Sequence, residues 1–151
     1  MSATPAEVYR AFLDAVNRQD LDAAQGCVDV LRYRENCVGF TPGFVDWDAA
    51  RDAIRAVWVG LPDLHVELRT VAGDGGAVVA HGTVTGTNTG RLYGVPATRR
   101  RYEASFFDWV AVEDGLIVER VQQADVLGQM RQIYGKAFGV VGLAALLFRL
   151  P

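Results

Sequence analysis

Residues 64–87 read LHVELRTVAGDGGAVVAHGTVTGT, and the period of this stretch decides the fold. Leu64, Val66 and Leu68 alternate with His65, Glu67 and Arg69, the two-residue period of a half-buried strand. Asp74, Gly75 and Gly76 supply the residues that tolerate a tight reversal, and a second strand then runs from Ala77 to about Thr87. The stretch therefore predicts the first hairpin of an antiparallel sheet. Downstream, a glycine-rich loop through Pro96, a strand from Arg101 to Val112, the turn Glu113-Asp114-Gly115 and a strand from Leu116 to Asp125 extend it into a meander.

Upstream the period is helical. Thr4, Pro5, Ala6 and Glu7 form a capping box with proline in the first turn, and Val8, Ala11, Phe12, Ala15 and Val16 follow at helical spacing, predicting a helix to about Asn17. Asp20 can cap a second short helix carrying Leu21, Ala24 and Val28, after which the chain extends from Leu31 to Val38. Gly39, Pro42 and Gly43 mark a loop. Asp46 or Asp48 then caps a third helix whose stripe is Trp47, Ala50, Ile54, Val57, Trp58 and Leu61, and Gly60 and Pro62 end it. Helices first and strands afterwards define an α+β fold: a cone-shaped barrel of curved antiparallel sheet, closed by three N-terminal helices around one apolar pocket. At 151 residues the chain is read as a single domain, with its core at about residues 5–135 and an apolar helical tail over 136–151.

The composition, 50% hydrophobic and 22% charged, is that of an ordinary globular protein. A net charge of −3 argues against a nucleic-acid partner, and Arg99-Arg100-Arg101 is too short a basic run to change that. Cys27 and Cys37 match no metal-ligand spacing and no signal segment opens the chain, so a reduced cytoplasm is expected. The apolar run from Phe138 to Leu150 falls short of the roughly 20 residues that cross a bilayer. No membrane role is expected of it, and it reads as a helix packing on its own barrel or on a second subunit. There is no phosphate-binding glycine loop, no two-histidine helix motif and no nucleophile elbow. What remains is acid–base chemistry without a cofactor or metal on a small hydrophobic molecule, or plain binding of one.

The candidates for that chemistry lie on the strands. On the last strand Ile117, Val121, Gln123 and Asp125 share one face with Glu119 by parity. If that face lines the pocket, desolvation makes Asp125 a usable base or acid near neutral pH. From spacing alone the favoured reading is that it caps a helix beginning at Val126. Asp108 stands among Tyr102, Ala104, Phe106 and Val110, so it is either buried with a partner or faces a ligand. His81 is the natural proton carrier if it reaches the pocket, whereas His65, between charged neighbours, reads as solvated. Arg34, Glu35 and Asn36 form a polar knot from which a ligand carbonyl could be bound. Asp125 and Asp108 are thus the catalytic candidates. His81, Asn36, Gln123, Trp58, Phe106 and Tyr102 are the candidates for substrate binding.

Three segments resemble the SnoaL-like polyketide cyclases, a branch of the nuclear-transport-factor-two-like superfamily. They are Leu61-Pro62-Asp63-Leu64 at the entry to the first long strand, Gly86 through Thr89, Gly90, Gly94, Pro96 and Thr98 in the glycine-rich segment, and Asp114, Gly115, Ile117, Val118, Glu119, Asp125, Leu127 and Gly128 around the closing strand. The resemblance spans about residues 7–135. It implies a homodimer and an intramolecular aldol ring closure of polyketide esters in which Asp125 takes a proton from an activated carbon. Asn88 stands where the family usually has histidine, Val121 where tryptophan is frequent, and Arg99 where glycine is common. Because the superfamily also contains hydroxylation partners and epoxide-opening enzymes, fold kinship fixes architecture more firmly than reaction. Three readings stand: a cyclase or isomerase of a polyketide-like intermediate, an epoxide-opening or accessory hydroxylation protein, and a non-catalytic binding module using Phe107 and Trp109.

Overall fold

The capping box at the N-terminus forms as its residue types require. Thr4 Oγ1 accepts from the Glu7 amide at 3.3 Å, and the Glu7 carboxylate accepts from the Thr4 amide at 2.7 Å. The computed structural model describes residues 3–92 and 94–135. Within them α1 spans Pro5–Asn17 and buries Val8, Tyr9, Phe12, Leu13, Ala15 and Val16. Full burial of a side chain such as Phe12 contributes about 1.5–3 kcal/mol. Asp20 caps α2, Leu21–Gln25, which is shorter than its apolar spacing suggested: Gly26 ends it, and Val28 instead bridges to Ile117. Asp46, not Asp48, caps α3, Trp47–Gly60, by accepting from the Ala49 amide at 3.0 Å.

Five strands form one sheet in the order β1-β5-β4-β3-β2, where β1 is Arg34–Val38, β2 His65–Asp74, β3 Ala77–Thr87, β4 Arg101–Glu113 and β5 Leu116–Ala124. The four later strands make the expected antiparallel meander, and β1 joins its end parallel to β5. The sheet is curved and unclosed, the α+β cone that the sequence leads one to expect, with β1 and β2 as its two edges. Helix α1 lies across strands β2 to β5, and α3 approaches β1, so helices do the covering that further strands would do in a closed barrel. A fourth helix, α4 over Val126–Tyr134, packs on β4. The apolar tail expected over 136–151 lies outside the described residues.

Two bulges set which side chains face inward. In β2, Leu68 lies opposite Gly82 and Thr70 opposite His81, leaving Arg69 as the extra residue. In β5, Ile117 lies opposite Val112 but Glu119 opposite Ala111, so Val118 is extra. An extra residue inverts the alternation of everything that follows it. After Val118, Arg120, Gln122 and Ala124 point inward, while Val121 and Gln123 point outward. The loop after β3 is tied down by the fully buried Asn88. Its amide nitrogen donates to the carbonyls of Gly60 (3.2 Å) and Gly90 (2.9 Å), and its oxygen accepts from the Thr98 amide at 2.8 Å. Gly90 is required there, since a Cβ would stand 1.8 Å from the Val59 carbonyl oxygen.

Candidate active site

The inward faces of β1, β4 and β5 and the helices α1, α3 and α4 enclose a cavity of about 410 Å³. Much of its wall is apolar, including Phe12, Leu13, Ile54, Val57, Leu61, Leu64, Leu92 and Ile133. Its polar groups come mainly from β1 (Glu35, Cys37) and β5 (Arg120, Gln122), which are neighbours in the sheet, with Thr41 following β1 and Gln129 on α4. A hydrophobic chamber with one polar patch is thus built by strand adjacency.

Arg120 organises that patch. Its Nε donates to Asp108 Oδ2 at 2.9 Å and its Nη1 to Glu35 Oε2 at 3.2 Å. Tyr33 donates its hydroxyl to Glu35 Oε2 at 2.6 Å, the Cys37 thiol donates to Glu35 Oε1 at 3.1 Å, and the Tyr9 hydroxyl donates to Asp108 Oδ2. Glu35, Asp108 and Arg120 are 5%, 1% and 7% exposed, so one guanidinium serves two carboxylates away from bulk water. Nη2 of Arg120 makes no hydrogen bond among the described residues, and neither does the side-chain nitrogen of Gln122 or of Gln129. These are donors left over at the cavity.

The electrostatics follow from this packing. Burial pushes the Glu35 carboxyl upward, but Arg120 and the hydrogen bonds from Tyr33 and Cys37 outweigh it and hold it below the ordinary range. Burial first, and the Glu35 carboxylate second, push the Tyr33 hydroxyl and the Cys37 thiol upward, so both stay protonated donors at neutral pH. Burial lowers Arg120, yet Asp108 and Glu35 more than compensate and keep it charged. The cavity therefore presents an ionised carboxylate, a fixed cation and free amides. A buried net negative charge contributes little to stability on its own account, and groupings of this kind concentrate at functional sites.

The structure brings some of the sequence candidates to this site and sets others apart. Tyr102 and Phe106 line the cavity. Asp108 stands one layer behind it, bonded to Arg120 and Tyr9, with its Oδ1 buried and unbonded. His81 is on the outer sheet face, stacked on Phe107 at 4.6 Å. Gln123 is exposed there opposite Phe107, and Val79, Phe107 and Trp109 make that face apolar. Asn36 lies outside the cavity, its side-chain oxygen accepting from Thr41 Oγ1 at 3.2 Å. Trp58 packs on the core beside α3's lining residues Ile54 and Val57 without lining the cavity itself.

Asp125 is exposed and outside the cavity. Its Oδ1 accepts from the Gly128 amide at 2.8 Å, which makes it the N-cap of α4. The expectation of an enclosed Asp125 presumed unbroken alternation along the last strand, and the bulge at Val118 removes that premise. Asp125→Ala should therefore cost about 1 kcal/mol of stability in urea unfolding and leave ligand affinity for the cavity within twofold. A loss of ligand binding without loss of stability would return Asp125 to the site. Arg120, Gln122 and Gln129 stand outside the sequence candidates, and Glu35 is the member of the polar knot that reaches the cavity. Tyr33, Glu35 and Cys37, alternating with Arg34 and Asn36, carried the available signal for β1.

A curved α+β sheet over a chamber with one polar patch has the form of a site for a small, largely apolar molecule. The model of the SnoaL-like polyketide cyclase family matches residues 6–133, and the chain belongs to that family. The SnoaL-like polyketide cyclase from Agrobacterium tumefaciens strain C58 superposes with a TM-score of 0.70 at 22% identity, over 86% of this chain and 98% of that one. TsrD from Streptomyces laurentii gives 0.72 at 28% identity, over 83% and 91%. An M. tuberculosis LEH-like epoxide hydrolase gives 0.66 at 18% identity, over 97% and 96%. The sequence matches no curated protein closely enough to count as a relative. Among the described residues no helix is long and apolar enough to cross a membrane.

Proposed function

We propose that the chain is a general acid–base enzyme that closes a ring within a small, largely apolar, polyketide-like intermediate, with Glu35 as the base. The observation that carries this reading is that Glu35 is the one carboxylate among the cavity-lining residues, held ionised by Arg120 beside unused hydrogen-bond donors. The apolar wall takes the body of the substrate, and an activated C–H next to a carbonyl approaches Glu35. The carboxylate takes that proton and becomes a carboxylic acid. Arg120 Nη2 and Gln122 are placed to donate to the enolate oxygen as charge develops on it. The enolate carbon then attacks a second carbonyl in the same molecule, and the new alkoxide recovers the proton from Glu35. Atoms and protons balance within one substrate, so the step consumes no co-substrate.

A second reading is epoxide opening, favoured by the two carboxyl groups that share Arg120, since that chemistry needs an acid and a base together. Two isotope labels separate the readings. Incubation of an apolar β-keto ester in D2O should wash deuterium into its activated carbon faster than in buffer alone. Incubation of an apolar epoxide in 18O-water reads hydrolysis. Labelled diol without any enzyme-dependent exchange on the keto ester would sink the ring-closure reading.

A further inference from the structure

Helix α4 buries Gln129, Ile133 and Tyr134, and of these Gln129 and Ile133, one turn apart, line the cavity. Gln129 is the polar exception on that stripe. It is 8% exposed, yet among the described residues neither its side-chain oxygen nor its side-chain nitrogen makes a hydrogen bond. This end of the cavity is built from the cluster of Leu61, Leu92, Tyr102 and Ile133, where a leucine would complete the packing with no polar group to desolvate. A buried amide left without partners costs stability, so its place on the cavity wall calls for a ligand that satisfies it.

Gln129 also stands apart from the polar patch. Asp108 on β4 holds the Arg120 guanidinium, whereas the Asp125 amide donates to the Ser105 carbonyl and the Gln132 side chain bonds both backbone groups of Glu103. Helix α4 therefore starts beside Ser105 and runs on along β4 away from Arg120. From Asp108 to Ser105 is already roughly 10 Å of strand. We infer that Gln129 is a second recognition point, which binds a hydroxyl or carbonyl oxygen on the part of the substrate remote from the reacting carbon. This rests on the cavity being the substrate site. Apolar contact is non-directional and lets a flat molecule slide along the wall. A hydrogen bond at Gln129 fixes that register, so that the activated C–H stays beside Glu35. The amide nitrogen donates to either kind of oxygen, and a hydroxyl there can also donate to the amide oxygen. The substrate class that follows is an apolar body oxygenated at both ends.

The test uses titration calorimetry with the whole chain at pH 7, where a phenol is neutral, and compares methyl 2-naphthoate with its 5-, 6- and 7-hydroxy derivatives. At least one hydroxy isomer should bind about three- to tenfold more tightly than the parent, the gain of one hydrogen bond net of hydration. In Gln129→Leu that preference should shrink to within about twofold while the parent binds as well as before, and the urea midpoint should hold or rise because the unpaired amide is gone. Gln129→Met, an unbranched replacement of similar length, should behave alike. No hydroxy isomer tighter than the parent, or a preference that survives both substitutions, overturns the inference. So does an equal weakening of parent and hydroxy ester with a lower urea midpoint, which is what a glutamine holding only the fold would give. Glu35-dependent deuterium exchange beside any of these would leave the proposed reaction standing without a second recognition point. A Gln129-dependent preference with exchange indifferent to Glu35 would do the reverse. Failure of all four esters to bind at millimolar concentration overturns both.

Discussion

Arg120→Met should destabilise the protein by about 3–5 kcal/mol at pH 8, because it leaves two buried carboxylates without their cation. That is a large part of the roughly 5–15 kcal/mol that holds a domain folded. The pH dependence carries the more specific signature. In the native protein the Glu35 pKa is depressed, so its contribution is complete above the unfolded value of about 4.3 and is lost as pH falls through the lower folded value. In the variant the hydrogen bonds from Tyr33 and Cys37 still act against burial, but the guanidinium no longer does, and burial, the largest influence, raises the Glu35 pKa above the unfolded value. The folded variant then binds more protons than its unfolded chain, and its stability increases as pH falls from 8 toward 5. Urea unfolding between pH 8 and 5 should therefore show no Glu35-linked slope in the native protein and a stability that rises toward low pH in the variant. Parallel curves would mean that the guanidinium does not control this carboxylate.

Glu35→Gln should reduce turnover by about 10²–10⁴-fold while the fold survives. The amide can occupy the carboxylate's place with its hydrogen bonds intact. Its oxygen at the Oε2 position accepts from Tyr33 and Arg120, and its nitrogen at the Oε1 position donates to the Cys37 sulfur. What is lost is the capacity to take a proton. A variant with native unfolding behaviour, native ester affinity and residual turnover near the uncatalysed rate is the expected outcome. Retention of more than about a tenth of the activity would assign the proton transfer elsewhere.

The architecture was legible because each element carries its own local signal. The Thr4–Glu7 box, the Asp20 and Asp46 caps, the Gly75-Gly76 turn and the alternation in 64–87 all report on nearby residues. The site was less legible because it depends on register. Tyr102, Phe106 and Asp108 share one buried face of β4, which alternates without interruption until Ala111, so parity is readable there. One extra residue at Val118 turned Arg120 and Gln122 inward and sent Gln123 out, and no single-sequence parity argument sees a bulge. Glu35 could not be singled out from the polar knot for a different reason. Its strand pairs in parallel with β5, more than eighty residues away in sequence, and only that long-range pairing brings Glu35 to Arg120. Which strands form the two edges of the cone likewise follows from pairing partners and not from any segment's own pattern.

The central claim is that Glu35, not Asp125, is the ionised carboxylate that meets the ligand. Carboxyl-carbon NMR of the whole protein, titrated with pH in the presence and absence of methyl 2-naphthoate, addresses both residues in one experiment. The account predicts a Glu35 midpoint below the ordinary glutamate value of about 4.3, a clear ligand-induced change in its resonance, and no ligand response at Asp125. A ligand response at Asp125 with Glu35 unmoved would contradict it.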